Sequence, residues 1–156
     1  MNEAIDRKLK STKETKKTKR NKISNSLKKY FELHEMVFYQ RSVDKAEIFL
    51  LPYRIKKQNI RFEIRIIVFD EVNLSKMEFN FELNNDRDYS KELLNINDKL
   101  IMGRLSVAEG SDQVTYTVDF NMSTKADIEK EYTQYLEMGV GVLAMLYEKK
   151  IVKTDE

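Results

Sequence analysis

The chain is poor in the residues on which most enzyme sites depend: it has no cysteine, one histidine, four glycines and one proline in 156 residues. Without cysteine it can form no disulfide, no catalytic thiolate and no cysteine-ligated zinc site. Catalytic triads need a histidine, and the lone His34 falls on the inner face of a predicted helix, which favours a packing role. The segment Gly139-Val140-Gly141 has a helical apolar pattern and lacks the third glycine of a dinucleotide-binding loop. We therefore expect a protein that is not an enzyme and that carries no cofactor or metal.

Long apolar runs are also missing. No stretch of the sequence approaches the roughly 20 apolar residues that a membrane-crossing helix requires. The basic N-terminus is not followed by the apolar segment of a secretory signal. These absences predict a cytoplasmic protein that has no membrane partner.

Charge is distributed unevenly along the chain. Residues 1–29 contain eleven basic and three acidic side chains, a net charge of +8, whereas the other 127 residues contain 17 basic and 23 acidic ones, a net charge of −6. Residues 11–21 are entirely polar, so they cannot bury enough apolar surface to offset the entropy of ordering. We expect residues 1–22 to form a basic, disordered arm, residues 23–150 a single domain and residues 151–156 a polar C-terminal tail.

The arm is compatible with several roles. Its lysines, spaced among Thr and Ser, suit salt-dependent contacts with the phosphates of a nucleic acid. The same composition also fits a solvated tail, or a segment that binds an acidic protein or an anionic membrane surface. The arm has no aromatic residues for base stacking and no apolar face for a membrane surface. The candidate nucleic-acid contacts are Lys13, Lys16, Lys17, Lys19, Arg20 and Lys22.

The rest of the chain alternates between helical and strand periodicities. Apolar residues at every second position from Ile60 to Val68 alternate with Arg61, Glu63 and Arg65, which is the clearest strand pattern in the sequence. Pro52 cannot donate a backbone hydrogen bond, so the strand around it should have a free edge or a bulge there. The predicted helices are 24–35, 88–98 and 124–148, and the predicted strands are 48–55, 60–68, 77–83, 101–108 and 113–120.

This order, α-β-β-β-α-β-β-α, predicts an α+β fold in which helices flank an antiparallel sheet. The phases of the strands place seven apolar side chains on one sheet face, against the last helix. Small residues at 139 and 141 would let that helix approach the sheet closely. The set comprises Phe62, Ile64, Ile66, Phe79, Phe81, Val118 and Phe120.

The segment 84–88 is rich in Asn and Asp. Asp86 and Asp88 could approach an ion, but the segment lacks the central glycine and the later glutamate of a calcium loop. Capping of the following helix is the simpler interpretation.

Several short motifs resemble the YbjN family of small bacterial proteins, within the type III secretion chaperone-like fold. They are residues 92–98 followed by the glycine-basic-apolar segment 103–107, together with 50–53 and 64–66. The resemblance covers about residues 23–150 and has no counterpart for the basic arm. It implies a binding or chaperone-like role, often with dimerisation, and it supplies no catalytic residues.

The function predicted from the sequence is therefore protein binding by a homodimer. Tyrosine is favoured at protein interfaces, and the chain has eight. We take Tyr53, Tyr132 and Tyr135 as candidate interface residues, although tyrosine is also ordinary at the boundary of a core. The alternative function is a nucleic-acid-associated regulator that uses the basic arm.

Overall fold

A computed structural model describes residues 23–69, 74–120 and 128–155. Helix α1 covers residues 23–33 of this part. The remaining elements are β1 Tyr39–Val43, β2 Ala46–Ile55, β3 Ile60–Phe69, β4 Leu74–Glu82, α2 Ser90–Asn97, β5 Arg104–Val107, β6 Gln113–Phe120 and α3 Ile128–Glu148. The predicted α+β class and element order are confirmed, and one further strand, β1, precedes the first predicted strand. The basic arm, including its candidate nucleic-acid contacts, lies outside the described residues.

The six strands form one antiparallel sheet in the order β1-β2-β3-β4-β6-β5. The first four strands are neighbours in sequence and in space. The last two form a hairpin that joins β4 through β6, so β5 becomes the far edge of the sheet. In the described part of the chain, no helix is long and apolar enough to cross a membrane.

One face of the sheet carries the hydrophobic core, as the alternation of the strands predicts. Phe62 pairs with Phe81, and Ile64 pairs with Phe79, so these side chains share a face. All seven side chains that the sequence places on this face are buried. Phe31 of α1 packs edge-on against Phe49 of β2, which puts the first helix over this face as well.

Helix α3 lies close to the core face because of one glycine. A Cβ atom at Gly139 would come within 2.2 Å of the Phe79 ring, whereas one at Gly141 would meet nothing within 4 Å. The predicted role of small residues in this approach is confirmed for Gly139 and does not extend to Gly141. The close contact fixes the helix over the centre of the sheet.

The two edges of the sheet differ in what hydrogen-bonds to, or covers, their outward-facing backbone groups. At β5, the side-chain amide of Asn97 in α2 donates to the Leu105 carbonyl at 3.0 Å and accepts from the Leu105 N–H at 2.7 Å. The amide thus takes the place of a neighbouring strand. At the other edge, β1 covers only residues 46–50 of β2. Pro52 lies just beyond this cover, at a locally free edge, where its missing N–H costs no ladder bond.

The C-terminal segment corrects one predicted boundary. Ile151 and Val152 are buried, and Val152 forms a β-bridge with Leu83. The Asp155 N–H donates to the Asn59 carbonyl at 2.7 Å, and the Asp155 carboxylate lies 2.6 Å from Arg61 Nε. Residues 151–155 are therefore tied to the ends of β3 and β4 and do not form the polar tail that we predicted. The charged residues around the Ile-Val pair mask its apolar contribution in the sequence.

The segment before α2 orders a short turn. The Asp88 carboxylate accepts hydrogen bonds from the Ser90 N–H and hydroxyl, and these bonds lower the pKa of Asp88. The Asp86 carboxylate accepts a hydrogen bond from the Tyr89 hydroxyl. Within the described residues, no group of three or more His, Cys, Asp or Glu side chains could hold a metal ion.

Candidate functional site

The second face of the sheet is open. The large apolar side chains that it presents are half-buried or exposed in the described part of the chain, whereas most of those on the core face are buried. The strand register divides this open face into rows of side chains that lie side by side across the sheet. The rows differ sharply in chemistry from one end of the strands to the other.

Three adjacent rows at one end form what we call the apolar corner. The outermost row runs Val43, Ala46, Phe69, Leu74 and the next contains Ile48 and Ile67. The third row begins with Tyr39 and Leu50. Tyr39 is 65% exposed, and Val43 and Leu74 also rank among the exposed large hydrophobic residues. The corner thus consists of eight side chains: Tyr39, Val43, Ala46, Ile48, Leu50, Ile67, Phe69 and Leu74.

Two cations flank the apolar corner. The row of Ile48 and Ile67 begins with Arg41 on β1, continues to Lys76 on β4 and ends with Asp119 on β6, next to Lys76. Arg41 is exposed and Lys76 is half-buried. The corner is therefore an apolar surface between two positive charges.

The rest of the open face is polar, both where the rows of the corner continue onto β4, β6 and β5 and towards the opposite ends of the strands. Arg65 lies 3.3 Å from the Glu78 carboxylate across β3 and β4. The Thr115 hydroxyl donates to Asn80 Oδ1 at 2.8 Å, and Arg104 lies 3.9 Å from Asp119. Such exposed or half-exposed ion pairs contribute little free energy, up to roughly 1 kcal/mol each. Among the described residues of this polar part, Asn80 Nδ2 is buried without a hydrogen-bond partner. The apolar corner is the part of this face that presents contiguous apolar side chains.

The sequence carries a signal for the apolar corner that the alternation pattern hides. The runs 48–51 and 66–69 are continuously apolar, so each strand places apolar side chains on both faces there. Our strand analysis used Ile64, Ile66 and Val68 and left Ile67 and Phe69 unassigned. A run that breaks alternation within an otherwise alternating strand predicts a second apolar surface.

The three candidate interface tyrosines lie on the side of the sheet where the helices pack, and not on the open face. Tyr132 is 2% exposed and its hydroxyl lies 2.5 Å from that of Tyr53. Tyr53 stacks on Phe62, and Tyr135 stacks on Phe120. Tyr132 therefore packs within the chain, while Tyr53 and Tyr135 are half-buried and their interface role stays a prediction.

The ionisation of these tyrosines reflects their packing. Burial raises the pKa of Tyr132, and the neighbouring phenol of Tyr53 adds to this shift. Burial also raises the pKa of Tyr53, against the smaller opposing effect of its hydrogen bond with Tyr132. His34, which we placed on the inner face of a helix, is an exposed residue after α1, and its ring lies 4.4 Å from that of Tyr30. Neither the Tyr53–Tyr132 pair nor the contact between His34 and Tyr30 brings an acid, a base and a nucleophile together.

A known structure shares this architecture, whereas the comparisons of sequence found no match. No family model and no curated protein sequence matches the chain. Among solved structures, the chain is similar to the crystal structure of YbjN from E. coli, with a TM-score of 0.57 and 12% sequence identity. The match covers 83% of this chain and 94% of that one. The predicted resemblance to YbjN is thus confirmed at the level of the fold.

Proposed function

We propose that this chain is a non-enzymatic protein-binding module that holds a partner polypeptide on the apolar corner of its open sheet face. The observation that carries the proposal is the corner itself, which gathers apolar side chains from four strands on a surface that no described element covers. Contiguous apolar patches on a protein surface mark interaction sites, since leaving them in water costs free energy.

The chemistry of the corner points to one kind of partner segment. A twisted sheet face with a width of four strands suits an amphipathic helix that lays its apolar stripe on the sheet. Arg41 and Lys76, at the two ends of one row, favour acidic residues on either side of that stripe. The proposed ligand is therefore an amphipathic helix with Asp or Glu flanking its apolar face.

Site-specific photo-cross-linking in cells tests this assignment. A photoreactive phenylalanine analogue replaces Phe69 in the apolar corner, and a control places it at Thr115 on the polar end of the same face. We expect an adduct from position 69 and none from position 115. Mass spectrometry of the adduct should identify a segment with apolar residues at helical spacing and flanking carboxylates. Equal adducts at both positions, or none at position 69, would contradict the proposal.

We also propose that the module acts as a homodimer. Exposed apolar residues cluster around the β1 edge, where Leu33 and Val37 lie close in sequence to Tyr39 and Val43. A second copy is the partner that is always available to cover such a surface. Light scattering on the full chain over a range of concentrations tests this part: a dimer mass is expected in the high micromolar range, and a monomer throughout would contradict it.

The second candidate function is nucleic-acid-associated regulation through the basic arm. It is favoured by the net charge of +8 in residues 1–29 and by the similar structure, YbjN, which is a proposed transcription regulator. If the arm makes five or more phosphate contacts, the log–log dependence of affinity on salt should have a slope steeper than about −4. Deletion of residues 1–22 should then abolish binding to duplex DNA or RNA, because the remaining chain has an acidic balance. If nucleic-acid binding is absent, or survives the deletion, this second function fails while the first is unaffected.

A further inference from the structure

The β1 strand has an outer edge that no other element of the described chain pairs with or covers. It is an end strand of the sheet, pairs with β2 alone, and all five of its residues are exposed. It contains no proline. Natural proteins shield such edges with proline, bulges, charged side chains or covering elements, since unpaired strands promote association. Of these, β1 has one charged side chain, Arg41. The other edges of this sheet are shielded, β5 by the Asn97 amide and the end of β2 by Pro52.

We infer that β1 pairs antiparallel with β1 of a second copy, with Gln40 on the two-fold axis. This inference rests on the homodimer of the proposed function and assigns its interface. A two-fold axis perpendicular to the sheet keeps each face continuous across both copies. Such an axis places one residue of β1 directly opposite the same residue of the second copy. Within β1 that central residue can be Gln40, Arg41 or Ser42.

The side chains of β1 select among these three registers. A register centred on Arg41 places the two guanidinium groups directly opposite each other, and like charges at that position are destabilising. A register centred on Ser42 would extend the ladder into residues 44 and 45, but Asp44 has a left-handed backbone, with φ at 37°, and begins the turn into β2. Charge repulsion therefore disfavours the register centred on Arg41, and the turn shortens the ladder of the register centred on Ser42.

The register centred on Gln40 makes complementary pairs. Tyr39 lies opposite Arg41 of the second copy, an aromatic-cation pair on the open face. The two Gln40 amides face each other across the axis. In the single chain Gln40 Nε2 donates to the Glu47 carboxylate at 3.3 Å, which leaves its second N–H and its oxygen for the amide of the second copy. If the ladder continues outward, Val37, which is 64% exposed, lies opposite Val43 of the second copy. This register thus covers apolar side chains that are exposed in the single chain.

The pairing would also join the two apolar corners. Tyr39 and Val43 form the β1 border of the corner, so the corners of two copies would meet across the axis. The result is one apolar platform at the centre of a continuous open face, with the polar ends outside. A ladder of this length buries less than the roughly 1,200–2,000 Å² of a stable interface. We therefore expect a weak dimer that partner binding strengthens.

Cysteine cross-linking tests the register directly, because the chain has no cysteine of its own. In the Gln40-centred register the two Cα atoms at position 40 lie about 4.5–5.5 Å apart, within reach of a disulfide. Those at position 41 lie about 8 Å apart, beyond that reach. Under mild oxidation, Gln40→Cys should form a covalent dimer, while Arg41→Cys and the β5-edge control Ser106→Cys should stay monomeric on a non-reducing gel.

A second pair of variants tests the edge without cysteine. Val37→Asp places a charge opposite Val43 of the second copy and should weaken dimerisation by about tenfold or more. Ile101→Asp, in a loop where Ile101 is fully exposed, should leave it unchanged. If light scattering shows a dimer but Gln40→Cys does not link, or Arg41→Cys links instead, this inference is overturned while the homodimer stands. A monomeric parent would overturn both, and would leave binding by the apolar corner intact.

Discussion

The two faces of the sheet are built from the same strands, but in the described part of the chain helices cover only one of them. On the core face, every strand except β1 contributes buried apolar residues, and Gly139 brings α3 into contact with Phe79. On the open face, β2 and β3 carry equally apolar residues in the runs 48–51 and 66–69, and no described helix covers them. An apolar side chain in a strand is therefore not by itself evidence of a core. The position of the helices decides which apolar surface is buried and which is left to bind.

The largest expected difference between the faces concerns β4. Phe79→Ala removes a fully buried ring from the centre of the core face and should cost about 3–5 kcal/mol in the free energy of unfolding. Lys76→Ala, on the open face of the same strand, should change it by no more than about 0.5 kcal/mol. Chemical denaturation of both variants measures the contrast. Similar losses in the two would mean that the strand faces are assigned wrongly.

Alanine at the two glycines of α3 should change the stability of the fold in opposite directions. Gly139→Ala places a methyl group within 2.2 Å of the Phe79 ring and should destabilise the fold by about 1–3 kcal/mol. Gly141→Ala meets nothing within 4 Å and should stabilise the helix by up to about 1 kcal/mol, since alanine loses less backbone entropy. Thermal unfolding of both variants checks the signs. Stabilisation by both would show that α3 stands farther from the sheet.

The hydrogen-bonded pair of Tyr132 in α3 and Tyr53 in β2 should make the fold sensitive to alkali. Burial raises the pKa of Tyr132 in the folded state above the ordinary value of about 10, so the neutral phenol stabilises the fold. That contribution is fully present below about pH 10 and is lost as the pH rises further. Tyr132→Phe should cost about 1 kcal/mol at neutral pH through the lost hydrogen bond, yet reduce the fall in Tm above pH 10.

Comparison of Tm against pH for the parent and Tyr132→Phe isolates this tyrosine, because the lysines titrate in both proteins. Parallel curves would mean that Tyr132 ionises freely in the folded state.

The smallest expected effect on stability comes from the apolar corner. Ile67→Thr keeps a β-branched residue in β3 and should change the free energy of unfolding by less than about 1 kcal/mol, because Ile67 is only half-buried. The same change at the adjacent Ile66, which is fully buried, should cost about 2 kcal/mol or more. In the cross-linking assay at position 69, only Ile67→Thr should lose adducts while remaining folded. Retention of adducts would move the binding site away from the corner.

Strand β1 marks a limit of prediction from the sequence. The segment Tyr-Gln-Arg-Ser-Val has no buried side chain, so no apolar set alternates along it. It is ordered by pairing with β2, a contact that depends on a neighbour and not on its own pattern. Ile151 and Val152 were missed for a related reason, since two apolar residues are too few to show periodicity. The apolar corner was predictable in principle from the runs that break alternation.

The sequence by itself determined the α+β class, the order of the predicted elements and the side chains of the core face, because periodicity records which side of an element turns away from water. It also shows that residues 1–29 are basic and the rest of the chain has an acidic balance. Only the tertiary structure decided that both helices over the sheet share one face, that Tyr132 faces inward, and that β1 lies at an unshielded edge. These features depend on contacts between segments distant in sequence, and such contacts leave no periodic trace in either partner.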